Sequence, residues 1–104
     1  MFLPTDDAQR KGQIIEMMCS APLGMAIDVL RGVLTWNGVG AMKLCYAPVL
    51  VLMSGTGGSN DPPRLRASKP NIEIGVTVGA GHFIQLEVPE QVNLKIERFV
   101  RTLA

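Results

Sequence analysis

Cysteine is scarce: Cys19 and Cys45 are the only two in 104 residues. Two cysteines cannot build a disulfide scaffold. With the single His82 they also fall short of the roughly four closely spaced ligands of a zinc site. No metal and no cofactor is therefore expected, and the two cysteines read as free, buried thiols of an intracellular chain. Charge of one sign is missing too. Ten Lys and Arg stand against nine Asp and Glu, a net +1 with no basic block, so there is no electrostatic footprint for nucleic acid. Long apolar runs are absent. The longest unbroken one is Ala47 to Met53, against the ~20 residues a membrane span needs. The opening MFLPTDDAQRKG has no basic region followed by an apolar one, so it does not read as a signal peptide. The expected location is the cytoplasm, with neither nucleic acid nor membrane as partner.

What is present is ample apolar material. Hydrophobic residues make up 47 % and charged residues 18 %, a globular composition that argues against disorder. The length suits one small domain, and no internal repeat appears. Two or three helices come first. Asp6 with Gln9 reads as an N-cap pair for a helix from Asp7 to about Cys19, with Ile14, Ile15 and Met18 on one side. Ser20 reads as the cap of the next helix, with Pro22 in its first turn. Leu23, Ile27, Leu30 and Leu34, flanked by Ala26 and Val33, form its apolar stripe. Asn37-Gly38 ends it, and a short helix follows over Val39 to Leu44. Met17, Met18, Met25, Met42 and Met53 read as core filling, and Trp36 as packed at the helix end.

Strand, helix, strand and helix make up the rest. Val49 to Met53 is a short continuous apolar run, which predicts a strand buried on both faces in a parallel sheet. Ser54 to Asp61 is a loop. Its glycines invite a phosphate-cradle reading, but Asn60 stands where GxGxxG needs its third glycine, and no Gly-Lys-Ser/Thr occurs. Pro62 or Pro63 starts a helix that ends by Pro70. Ile72 to Val78 is the second strand, parallel to the first across a helical crossover. Pro89 opens a last helix whose buried face is Val92, Ile96, Phe99, Val100 and Leu103, with Arg98 and Arg101 suiting its dipole.

Chemistry concentrates in Val76-Thr-Val-Gly-Ala-Gly-His82-Phe-Ile-Gln-Leu-Glu-Val-Pro-Glu90. A strand runs into a glycine turn, and the single histidine stands at its carboxyl end, where open α/β sheets bind ligands. Histidine is the side chain that ordinarily changes charge near neutrality, which suits a general base. Alternatively, His82 simply caps the turn.

Residues 47–104 resemble the C-terminal end of an α/β-hydrolase. The likeness rests on APVLVL, the glycine turn, the Pro-Pro helix start, GAGHF at 79–83, Glu87 with Pro89, and the amphipathic last helix. Residues 20–46 look like the helical stretch before the penultimate strand, and residues 1–19 like a cap remnant. The resemblance implies one incomplete domain over 1–104: a partial α/β-hydrolase fold, two parallel strands with covering helices. It maps His82 onto the family's catalytic histidine, the base that activates a serine, aspartate or cysteine nucleophile, with a small molecule as substrate of the complete enzyme. The family's G-x-S-x-G nucleophile elbow has no counterpart here, nor does its oxyanion loop, so the chain alone is expected to be inactive. Counting along the loop puts Gly58 at a usual position of the triad acid. Asp61, three residues on, is the remaining candidate orienter, or else the N-cap of the Pro62 helix. The alternatives are one half of a split enzyme and a non-catalytic interaction module. In the family another strand lies beside Val49 to Met53. Its absence predicts an open edge, and with it self-association or binding of a complementary fragment through residues 48–54.

Overall fold

The computed structural model describes residues 1–56 and 61–103. Six helices and two strands follow in the order α1 (Ala8–Cys19), α2 (Leu23–Thr35), α3 (Gly38–Leu44), β1 (Leu50–Ser54), α4 (Pro62–Ser68), β2 (Glu73–Thr77), α5 (Ile84–Glu87) and α6 (Pro89–Thr102). The chain is a mixed α/β structure. β1 and β2 pair in parallel with Leu50 opposite Glu73 and Ser54 opposite Thr77, as a helical crossover requires. The short α5 was not anticipated. Residues 57–60 of the expected loop lie outside the described residues.

Caps differ from expectation by small steps with clear causes. Asp7, not Asp6, caps α1 and accepts from the Arg10 N–H. Asp6 is engaged by the Leu3 N–H instead. Ser20 closes α1, its hydroxyl donating to the Met17 carbonyl, so it cannot open α2, whose cap position is Pro22. Asn37 caps α3 through the Gly40 N–H. The buried Lys69, at the end of α4, donates from Nζ to the Cys45 carbonyl at 2.8 Å, tying the ends of α3 and α4 together.

The parallel pleat puts Leu50, Leu52 and Ser54 on one face with Glu73, Gly75 and Thr77. α6 packs against both strands, and Lys95 and Leu52 meet over Gly75. Thr77 is fully buried and donates to the Met53 carbonyl. At the far edge of β2, the Gln91 amide accepts from the Val78 N–H at 2.9 Å and donates to the Val78 carbonyl at 2.8 Å. It occupies both backbone groups that a further strand would use there.

Several burial expectations fail. The apolar core among the described residues is Ile14, Met53, Ile72, Ala80 and Val92. β1 is therefore not buried on both faces: Met53 alone of its residues is buried. α2 buries no residue, so α6 covers the sheet and α2 does not. Its stripe stands in solvent, with Leu34 84 % and Leu23 75 % exposed. Ile15, Met17, Met18, Met25 and Trp36 are exposed as well, as are Ile96 and Val100 of α6 and Leu103 at its C-cap. Cys19 is exposed and Cys45 half-buried. The radius of gyration is 15.8 Å, against ~13 Å for a compact domain of this length. The apolar residues are present, but within the described residues there is too little opposing surface to cover them. No single described helix is long and apolar enough to cross a membrane.

Candidate functional site

β2 ends at Thr77, and the chain turns through Gly79 at φ +78°, a left-handed conformation that favours glycine. The turn is fastened on two sides. From the end of β1 the Ser54 hydroxyl donates to the Ala80 carbonyl at 2.7 Å, and from the turn after it the Thr56 hydroxyl does so at 3.1 Å. From the start of the chain, the Met1 carbonyl accepts from the His82 N–H at 2.8 Å. Gly81 is buried beneath that contact. A Cβ there would stand 2.3 Å from the Met1 carbonyl oxygen, so the approach of the two backbones requires glycine. Phe2 lies 5.5 Å from Phe83, centroid to centroid, and Lys11 places its ammonium 5.4 Å from the Phe2 ring. His82 itself is exposed, edge-on to Phe83 at 5.0 Å.

Behind the turn sits a pair of carboxyl groups. Glu87 Oε2 accepts from the Gly81 N–H at 3.1 Å, while Oε1 is buried with no partner among the described residues. Burial pushes the Glu87 carboxyl up from its ordinary 4.5. The neighbouring Asp6 carboxyl pushes the same way, and the Gly81 and Phe83 N–H groups oppose both. The pair borders a cavity of about 160 Å³ with Asp7, Arg10 and Lys11. Arg10 also donates to the Glu87 carbonyl.

This pair sets a pH dependence. The folded chain binds a proton on Glu87 more tightly than the unfolded chain, so folding takes up protons in this range. The contribution to stability is full below the ordinary value of 4.5 and is lost as pH rises through the raised folded value. Glu87→Gln keeps an acceptor for Gly81 and removes the charge. It is expected to melt higher than the parent near pH 8 and to flatten the fall in melting temperature between about pH 4 and pH 8. Parallel thermal melts of the two proteins check this. Identical pH profiles would show that Glu87 is solvated as an ordinary surface carboxylate.

The two residues expected in the site are not joined. Asp61 accepts from the Arg64 N–H at 3.1 Å and caps α4. It lines an open cavity of about 490 Å³ with Trp36, Met42 and Leu65. No hydrogen bond or ion pair links it to His82 among the described residues. His82 is thus held by its backbone, with its imidazole open to solvent. Such an arrangement leaves the ring accessible, but the described residues bring no nucleophile and no oxyanion donor set into a hydrogen bond with it.

Three features of the site were missed: the clamp by Met1, the ties from Ser54 and Thr56, and the seat of Glu87 under Gly81. Only Glu87 left a signal, as an acid between apolar residues just ahead of Pro89. The described residues hold no cluster of metal-ligating side chains. No family model, curated protein or solved structure matches the chain.

Proposed function

We propose that this chain is the C-terminal part of an α/β-hydrolase, in which His82 is the general base for cleavage of an ester or similar bond in a small molecule. The nucleophile and the oxyanion donors come from a segment outside these residues. One observation carries the reading: the lone histidine sits exposed at the carboxyl end of a parallel strand, on a glycine turn whose backbone is fixed from two directions. A base must be held in place while its ring stays accessible, and this turn meets both needs. Asp61 is the candidate orienter, reached when the missing segment closes the site.

A second reading, a non-catalytic interaction module, is favoured by the exposed stripe of α2 and the uncovered edge of β1.

Assays with 4-nitrophenyl esters separate the two. The 104-residue chain is expected to show no saturable turnover above a His82→Ala control. The reading frame extended upstream is expected to carry G-x-S-x-G roughly a hundred residues earlier, within the ~250-residue scale of such domains, and to turn over. An upstream sequence with no elbow would favour the interaction module. Turnover by the short chain that vanishes in His82→Ala would point to a different site.

A further inference from the structure

Residues 1–7 lie against the histidine turn. The Met1 carbonyl fills the His82 N–H at 2.8 Å, and the Phe2 ring lies 5.5 Å from Phe83. The segment is also folded on itself. Asp6 accepts from the Leu3 N–H, and the Asp6 N–H donates to the Leu3 carbonyl at 3.1 Å. It is a short strap with Asp6 near its base, and α1 begins directly after Asp7.

Two acids face one cavity across this contact. Asp6 comes from the strap and Glu87 from α5, and both border the space of about 160 Å³. Glu87 has one oxygen on the Gly81 N–H, and its Oε1 is buried without a partner among the described residues. A buried carboxylate oxygen with no donor is costly, whereas a protonated carboxyl turns one oxygen into a donor. The surrounding charges do not relieve the pair. Asp7 borders the same cavity and is occupied in capping α1. Arg10 donates to the Glu87 backbone carbonyl at 3.3 Å, and the Lys11 ammonium lies over the Phe2 ring. Neither cation makes an ion pair with Asp6 or Glu87 among the described residues. On the turn the titratable group is His82, with its ring exposed, and on the first turn of α6 it is the exposed Glu90.

We propose that residues 1–7 are a pH-operated strap: a proton on the Asp6–Glu87 pair keeps it on the histidine turn, and loss of that proton lifts it. With both carboxyls charged, two anions share one small cavity from opposite sides of the contact, so their repulsion acts on the seam itself. Lifting the strap lets water reach both. In the closed state, burial and the Asp6 carboxyl hold the Glu87 proton above its ordinary 4.5. The closed strap therefore binds a proton more tightly than the open one. Its closure is favoured fully below 4.5, and that contribution is lost as pH rises through the raised value. Opening frees the His82 N–H and uncovers Phe83, while α1 has its own anchor in the buried Ile14. The event is local, and it does not require that His82 serve a hydrolase.

Amide exchange on the 104-residue chain tests this, with each rate divided by the intrinsic rate at the same pH. From about pH 5 to about pH 8 the His82 amide is expected to lose protection about tenfold or more. The nuclear Overhauser contact between the Phe2 and Phe83 rings should fade over the same range. The Gly55 and Glu73 amides, bonded across the sheet, should keep their protection. Asp6→Asn keeps an acceptor for Leu3, Glu87→Gln keeps one for Gly81, and each removes one charge of the pair. Both should hold the His82 amide protected to about pH 8. His82→Gln removes the titrating ring and should leave the opening at position 82 as in the parent. If neither acid variant folds, the parent and His82→Gln series decide. Protection that is flat with pH in the parent, or that falls together with Gly55 and Glu73, would overturn the proposal. So would a fall that survives in a folded Asp6→Asn or Glu87→Gln. A fall that vanishes in His82→Gln would also overturn it and assign the change to the imidazole.

Discussion

In a chain extended to include the nucleophile, His82→Ala is expected to lower kcat by at least about 1,000-fold, with little change in melting temperature. The small structural effect follows from the site. His82 is held through its backbone N–H, and its ring is exposed beside Phe83, so truncation removes chemistry and leaves the clamp. The same enzyme tests the orienter. Asparagine caps helices as well as aspartate does, so Asp61→Asn should leave α4 intact. Any large loss of turnover then reports on support of the imidazolium, not on folding. Asp61→Asn is expected to lower activity far more than Glu87→Gln at neutral pH. Equal, small effects would mean that the acid comes from another strand.

The largest structural effect is expected at Gly81. Gly81→Ala would place a methyl group 2.3 Å from the Met1 carbonyl oxygen, well inside contact distance, and the obstacle is backbone. Either the first residues leave or the histidine turn shifts. Both break the bond from the His82 N–H to Met1 and disturb the Gly81 N–H held by Glu87. Overpacking of this kind costs about 1–3 kcal/mol, and each kcal/mol lowers the melting temperature of a small domain by about 4–8 °C. Gly79→Ala is the control. Its Cβ meets open space but its φ is +78°, so it pays only a conformational cost of about 1–2 kcal/mol. Amide exchange separates the two. The His82 amide should lose protection in Gly81→Ala and keep it in Gly79→Ala. Unchanged protection in both would show that the Met1 contact does not hold the turn.

Local signals were legible in the chain and long-range ones were not. Pro62 and Pro89 mark the starts of α4 and α6 because proline suits a first helical turn. The aliphatic run before Ser54 and the glycines after Thr77 mark two strand ends, and the histidine between strand and helix was visible at once. The α2 stripe was equally legible as a pattern, but a pattern of period 3.6 says only that a face is apolar. Whether another surface meets it is decided elsewhere, and here none of its residues is buried. The clamp on His82 was hidden for a related reason. It joins Met1 to residue 82 through backbone atoms, and a carbonyl oxygen carries no side-chain signature. The Asp6 cap failed because Leu3 competes for the same carboxylate three residues away, while Asp7 stands ready one position later.

The Gln91 amide on Val78 bears on how large an assembly can become. A sheet with two equivalent free edges is a monomer of a ribbon: each addition creates the site for the next. Here one border ends in a side chain that imitates one residue of a neighbouring strand. That leaves only Ile74 and Val76 of β2 with outward backbone groups, too short a stretch to seat another strand well. Addition at that border is therefore disfavoured. A single amide thus keeps the sheet from extending past β2.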